Sequence, residues 1–480
     1  MPLGIEWPAY VTIESDVYAP AFSRGDVIVA GGSTRYTLNG PLVATPYTQH
    51  FRWASKTWAL LASLPEERQY HTLTVAGDGR IIAAGGQDSN GVYRYLTPTF
   101  SQATQTWSQP FTTALAQGRV SHRAVRLQDG RVMVVGGHAP WRAAQEIFNP
   151  ATNLWSFDTT RLLTPRINHV AVALTDGRVL VAGGWNGTAL SSAELITPFP
   201  IGNTPPTVEP TATPGAPQPA SLSEAVDWPA AVRAPDGRVV IAGGGNGAVT
   251  AKVDVFRPDT NAWMPNVPPM PSPRSSAGMT LIGANGRVFL GGGWYAGQLP
   301  TSVFAWSYHL WRDGTGGAAW AEYTDVQTGA GDYFGHNIPI VSPGLGYTAV
   351  LAGGTMWQGA SGSSNYGAVY SFCDEECNDG NLCTIDTCAP NGACVNTPKA
   401  CADTNVCDGV ETCNPATGAC VDGTALPIGT PAPDDLPCNG IETCDGLGNT
   451  VWPSPQKLDT CGYATCLSLV TRDSTSFGVA

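Results

Sequence analysis

Seven Gly-Gly pairs recur along residues 1–372, each closing a short apolar run: Gly31-Gly32, Gly85-Gly86, Gly136-Gly137, Gly183-Gly184, Gly243-Gly244, Gly291-Gly292 and Gly353-Gly354. The intervals run from 47 to 62 residues, the length that a repeated unit of four short strands occupies. All 13 cysteines follow that stretch, from Cys373 to Cys466. The chain therefore divides into a cysteine-free repeat array, residues 1–372, and a cysteine-rich region, residues 373–480.

Aligning the pairs exposes the unit. His71, His122 and His169 precede their Gly-Gly by a constant interval, with Arg68, Arg119 and Arg166 one short step earlier. A turn lies between: Asp78-Gly79-Arg80, Asp129-Gly130-Arg131, Asp176-Gly177-Arg178, Asp236-Gly237-Arg238 and the variant Asn285-Gly286-Arg287. Asp-Gly and Asn-Gly accept the positive φ of a tight hairpin. Runs such as Ile81-Ile82-Ala83-Ala84 and Val132-Met133-Val134-Val135 are continuously apolar, as strands buried on both faces must be. A third strand and a turn follow, and a fourth strand carries Trp58, Trp107, Trp155 or Trp263.

With turn, Gly-Gly and downstream Trp in register, residues 1–372 resemble the kelch repeat, in the form found in the central domain of galactose-oxidase-like proteins. The resemblance implies an all-β, seven-bladed β-propeller. Blade seven shows only three strands before Cys373, whereas Ile5–Ile13 reads as a spare strand before blade one. That N-terminal strand is expected to complete the last blade and close the ring, with Trp7 as its downstream Trp, because closure removes exposed sheet edges. The Pro/Thr-rich stretch Pro198–Pro219 reads as a loop replacing the last strand of blade four, and Gly297–Asp332 as an insertion in blade six.

Charge is uneven. Residues 373–466 carry 14 acidic and 2 basic side chains, nearly all of the chain's net charge of −13. With no Lys/Arg-rich run, nucleic acid is not an expected partner. No apolar stretch has the length of a membrane span. The start, Met1-Pro2-Leu3-Gly4-Ile5-Glu6, lacks the basic and apolar parts of a secretory signal. Yet 13 cysteines in so short a region call for an oxidising compartment. The two are reconciled if the chain has lost a leader or belongs to a longer product, and the expected location is extracellular or the cell surface.

Cys377, Cys383, Cys388 and Cys394 form one unit, and Cys401, Cys407, Cys413 and Cys420 a second. Cys438 and Cys444 match Cys407 and Cys413 in a third unit whose leading cysteine is replaced by Ala432; Cys461 and Cys466 follow. The first unit, with Cys383-Thr-Ile-Asp-Thr-Cys388, resembles the short cysteine repeat of slime-mould extracellular matrix proteins. These 12 cysteines are expected in disulfides, each loop closure contributing roughly 3 kcal/mol in the chain-entropy model. The odd cysteine is free or pairs between chains, and Cys373 is its candidate. Zinc fits poorly, for there is no Cys-x2-Cys pair and no histidine after His336. Weak calcium binding on the acidic turns is the remaining cofactor reading, without a full EF-hand loop.

Strand order puts the start of each innermost strand and the residues after each Gly-Gly on one face. That face is expected to gather Arg68, His71, Arg119, His122, Arg166, His169 and Asp227 around the central opening. Beside them come Trp141, Trp185, Asn186, Trp294, Tyr295 and Trp357. Aromatic loops of this kind stack on sugars or clasp peptide side chains. The competing reading of the Arg-x-x-His pattern is blade packing. Arg24-Gly25-Asp26 spells a cell-attachment tripeptide, but its place matches a hairpin turn.

Two function classes follow. The first is a non-catalytic recognition protein whose propeller face binds carbohydrate or a protein partner, the tail serving as spacer, anchor or cross-linking segment. A structural matrix unit assembled through the tail is its variant. The second is a propeller enzyme. A copper-radical oxidase would need the family's Tyr–Cys crosslink, and residues 1–372 hold no cysteine. A lyase or hydrolase lacks a recognisable nucleophile or carboxylate pair. A metal shared by His71, His122 and His169 would have to span positions one blade apart.

Overall fold

The computed structural model describes residues 5, 7–34, 41–108, 113–138, 143–201, 218–282, 287–291, 293, 305–309, 319–323, 340–341, 348–352, 367–371, 381–388, 394–401, 405–415, 417–432 and 442–451. The chain divides into two compact units, Met1–Phe372 and Cys373–Ala480.

The first unit is all-β. Its described residues form seven sheets of three or four antiparallel strands in chain order, besides a small ribbon of Ser33–Thr34 and Val43–Ala44. Each sheet is a meander. In the third, Arg123–Arg126, Val132–Val135, Ala144–Asn149 and Leu154–Arg161 lie side by side. First strands of successive sheets are neighbours, from Ala9–Thr12 beside Thr72–Val75 through to Gly278–Ile282 beside Ile340–Val341.

The apolar runs have a simple logic. Side chains alternate across a strand, and a strand sandwiched between sheets must therefore be apolar at every position. Ile81 and Ala83 pack toward the first sheet with Ile28 and Phe22. Ile82 and Ala84 pack the other way, with Val132, Val134 and Phe148 of the third. Met133 and Val135 in turn meet Val179 and Val181 of the fourth, and Val239 and Ile241 of the fifth meet Leu180 and Ala182. The core is a series of inter-sheet seams.

The Gly-Gly pairs belong to those seams. Gly136 has φ +64°, and a Cβ there would lie 2.6 Å from the Arg166 carbonyl oxygen and 2.6 Å from His169 Cε1 of the next sheet. Each outer strand adds a further tie. Phe51–Trp58, Phe100–Trp107, Phe148–Trp155 and Phe256–Trp263 are cross-strand ring pairs with centroids 5.1–5.4 Å apart. Trp107 Nε1 donates to Thr48 Oγ1 at 3.1 Å, and Trp155 Nε1 to Thr97 Oγ1 at 2.8 Å, each on the preceding sheet. The turn arginines do the same at the other end of the sheets. Arg80 Nη1 donates to Asn153 Oδ1 at 2.7 Å, and Arg178 Nη1 to Asn261 Oδ1 at 2.6 Å.

Two sequence expectations are corrected. The N-terminal strand, Ala9–Thr12, does not complete the seventh sheet; it pairs with Val27–Ala30 as the first strand of the first sheet. Trp7 accordingly sits on no outer strand. The hairpin closes with Ile13 N–H on the Asp26 carbonyl at 2.8 Å and Gly25 N–H on the Ile13 carbonyl at 2.9 Å. A local hairpin partner thereby displaced the long-range closure. The stretch 297–332 is not merely an insertion: Ala305–His309 and Ala319–Tyr323 are strands three and four of the sixth sheet. The Arg24-Gly25-Asp26 tripeptide is not a presented loop, since Asp26 is buried and takes His50 Nε2 at 2.8 Å and Trp53 N–H at 2.8 Å. In the fourth sheet, beside the Pro/Thr-rich stretch, Gln218 Oε1 accepts from Leu195 N–H at 2.8 Å, a side chain standing in for a strand.

Among the described residues the second unit forms three two-stranded hairpins, Thr384–Cys388 with Cys394–Pro398, Thr412–Cys413 with Cys420–Val421, and Thr443–Cys444 with Thr450–Val451, and a 3-10 turn at Val406–Asp408. Its described core is one small cluster of Cys407, Cys444 and Ala432 with Leu426 against it. Disulfides Cys383–Cys413, Cys401–Cys420 and Cys407–Cys444 hold it together. Two of them leave the four-cysteine group in which they start. Cys388 and Cys394 lie on strands; Cys377, Cys438, Cys461, Cys466 and Cys373 lie outside the described residues.

Candidate functional site

The residue just before each first strand of a sheet, or before its histidine, adopts positive φ. Trp7 (55°), Tyr70 (58°), Ser121 (53°), Asn168 (54°), Trp228 (57°) and Ser276 (55°) are the equivalents. This conformation turns the amide sideways toward the neighbouring sheet. Ser121 N–H donates to the Tyr70 carbonyl at 3.2 Å, Asn168 N–H to Ser121 at 3.1 Å, and Ser276 N–H to Trp228 at 3.0 Å. A belt of backbone bonds thus passes from sheet to sheet at the start of the inner strands.

Left-handed backbone is tolerated by Asn and is costly for bulky side chains. Asn168, Ser121 and Ser276 satisfy it with small residues, yet Trp7, Tyr70 and Trp228 place large rings there. The three rings cluster: Trp7 lies 5.5 Å from Tyr70 and 5.5 Å from Trp228 between centroids. All three line a cavity of about 290 Å³ between the inner strands, along with Tyr10 and Arg123.

Polar groups of unusual electrostatics stand beside the rings. Burial raises the Asp227 carboxyl to about 6, against bonds from the Asn168 side chain and the Trp228 backbone and the attraction of Arg123. Burial also lowers Arg123, against the pull of Tyr10 and Asp227, and it raises Tyr10. The cavity therefore offers apolar ring faces next to a guanidinium and a phenol, with the Asp227 carboxyl one residue from its Trp228 wall.

The sequence candidates separate into groups. Arg68, Arg119 and Arg166 are buried inside their sheets. Arg68 Nη1 donates to the Gly85 and Leu96 carbonyls at 3.1 Å each. Arg119 Nη1 bonds Gly136 and Ala144 at 3.1 Å each, and its Nη2 meets Glu146. Arg166 Nη1 bonds Gly183 and Ser192 at 2.9 Å each, and its Nη2 meets Glu194 Oε1 at 2.6 Å. Their guanidinium groups join second strand to third strand rather than facing a ligand.

His71, His122 and His169 are buried as well, and burial together with nearby arginines holds all three well below the usual histidine range. They are neutral rings packed on the preceding sheet's glycine, with His122 Nε2 at 3.0 Å from Thr72 Oγ1. Among the described residues, no group of three His, Cys, Asp or Glu side chains is placed to hold a metal ion. Trp185 and Asn186 are half-buried in the loop after Gly183-Gly184, where Trp185 pairs with Ile167 and Ala189 through its backbone. Of the candidates, His71 and His122 line the same cavity as the rings, and Asp227 stands one residue from Trp228. Trp141, Trp294, Tyr295 and Trp357 lie outside the described residues. Trp7, Tyr70, Trp228 and Arg123 were missed as site residues. Their signal was positional: each occupies, or follows closely, the slot before a repeat's inner strand.

Residues 376–399 match a family model described as a Dictyostelium (slime mold) repeat. No curated protein matches the chain. Among solved structures, one titled "Structure of YjhT" is 13% identical with a TM-score of 0.46, over 67% of this chain and 98% of that one.

Proposed function

We propose that this chain is a non-catalytic recognition protein of the extracellular space or cell surface. Its seven sheets form a closed ring of kelch-type blades, and the cavity among the inner strands takes a carbohydrate residue. The cysteine-rich unit, with its slime-mould-type repeat and three disulfides among the described residues, serves as spacer or anchor in an oxidising environment. One observation carries the reading: three of six equivalent left-handed positions hold large aromatic rings where the fold elsewhere uses Ser or Asn. Backbone strain kept at a cavity wall marks a functional position.

The test exploits the same equivalence. Trp228→Asn installs the residue that Asn168 already shows the backbone to prefer, so it deletes the ring and relaxes the strain together. A glycan array on the full chain, followed by calorimetry of its best ligand, is expected to show binding weakened at least tenfold in Trp228→Asn. The melting temperature should hold or rise. Undiminished binding in that variant, or an array without any binder, overturns the carbohydrate reading.

A structural role in a matrix is the second reading, favoured by bridges that run from one repeat into the next. Electron microscopy of native material showing polymers that dissolve in reductant would support it; monomeric particles would not.

A further inference from the structure

The three disulfides among the described residues obey one rule. Let the cysteines of each repeat be numbered one to four, so that the first repeat is Cys377, Cys383, Cys388, Cys394 and the second Cys401, Cys407, Cys413, Cys420. Cys401–Cys420 joins positions one and four within a repeat. Cys383–Cys413 and Cys407–Cys444 join position two of one repeat to position three of the next.

Strand register fixes the positions independently of spacing. Cys388 faces Cys394, Cys413 faces Cys420, and Cys444 faces Thr450. Facing cysteines are not partners, for Cys413 and Cys420 each bond elsewhere. The third repeat has Thr450 at position four and Ala432 at position one. It has lost both members of the one–four bridge and kept Cys438 and Cys444, and the Cys444 bridge runs between repeats. Ala432 instead packs against the Cys407–Cys444 bridge. A pair lost together is the mark of a pair that bonds together.

Position three is also preceded by threonine: Thr387, Thr412 and Thr443. Thr465-Cys466 continues that series, and Cys461 stands before Cys466 at the interval that separates Cys383 from Cys388. Cys461 and Cys466 are therefore positions two and three of a fourth repeat that again lacks positions one and four.

We propose that the rule runs through the whole tail as a ladder in which every repeat is bolted to its successor. It pairs Cys377 with Cys394 and Cys438 with Cys466. Cys388, a position three, takes Cys373, which is the cysteine that precedes the first repeat. The cysteine left over is Cys461, a position two with no position three ahead of it within residues 1–480, and not Cys373. Cys373, Cys377, Cys438, Cys461 and Cys466 lie outside the described residues, and their assignment rests on sequence position. Each bridge forms as two thiols lose two electrons and two protons to a disulfide-bearing oxidant, which leaves as a dithiol.

The full chain, produced in an oxidising compartment, is denatured and alkylated without reduction, then mapped by mass spectrometry of its linked peptides. One alkylated cysteine per chain is expected, Cys461. Cys438→Ser should expose Cys466 as the one new alkylated thiol, and Cys377→Ser should expose Cys394. Alkylation of Cys373 in the parent chain, a Cys388–Cys394 linked peptide, or release of any other thiol in the variants overturns the ladder.

Discussion

Gly136 illustrates how one missing side chain holds two sheets together. Its left-handed φ and the nearness of Arg166 and His169 of the next sheet both exclude a Cβ. Gly136→Ala is expected to destabilise the first unit by about 3 kcal/mol, because neither backbone nor packed imidazole can withdraw. Gly91 separates the two causes. It too has positive φ, 78°, but nothing lies within 4 Å of its Cβ position, so Gly91→Ala should cost only ~1 kcal/mol. Urea unfolding of both variants checks the difference; equal losses would mean that conformation alone, not the seam, demands the Gly-Gly. Asp227 gives a pH signature at the same scale. Its folded pKa of about 6 lies above the ordinary carboxyl value of 3.8, so the folded state holds its proton more tightly than the unfolded chain. Its own contribution to stability is then greatest below pH 4, falls as pH rises toward 6, and levels off above. Asp227→Asn should remove that slope and stabilise the protein at pH 7, as followed by the urea midpoint. At this scale the sequence was half legible. The Arg-x-x-His pattern announced itself by recurrence, but recurrence is what packing requires of every repeated sheet. Arg119 is committed to Gly136, Ala144 and Glu146, and no ligand is needed to explain it. The ring cluster was invisible because Trp7, Tyr70 and Trp228 meet from three different sheets.

At the scale of elements, the hairpin units could be read directly from turns and apolar runs, since both signals are local. The first strand could not. Its turn carries Arg24-Gly25-Asp26 instead of Asp-Gly-Arg, and Asp26 is spent on His50 and Trp53 rather than on an arginine beside it. A strand with an unfamiliar turn looked spare, and the three-strand seventh sheet looked like its home. The observed register, Ala9 opposite Ala30 through Thr12 opposite Val27, predicts where damage will spread. Removing residues 1–12 should speed hydrogen exchange at Val27–Ala30, which lose their inner partner, and at the facing Ile81 and Ala83. Amides of Gly367–Ser371 should exchange as before. Faster exchange at Gly367–Ser371 with Val27–Ala30 unchanged would restore the closure by the N-terminal strand.

The two units owe their order to different physics, and reduction should separate them. Residues 1–372 contain no cysteine and are held by apolar seams between sheets. The second unit has a described core of three buried residues, while Leu382, Val410, Ile428 and Leu447 are exposed. Apolar burial cannot order so small a cluster. Its bridges span 19, 30 and 37 residues, and loops of that size contribute roughly 3–4 kcal/mol each in the chain-entropy model. Electrostatics works against folding there, because residues 373–466 carry 14 acidic and 2 basic side chains and like charges favour an expanded chain. A thiol reductant should therefore unfold residues 381–451 while the melting transition of residues 1–372 stays where it was. Low ionic strength should sharpen the contrast, since screening lengthens as salt falls. Native-state hydrogen exchange with and without reductant reads both units at once. Retained protection at Thr412–Cys413 and Thr443–Cys444 after full reduction would show that the tail has a core of its own; loss of protection at Val132–Val135 would show that the first unit depends on the bridges.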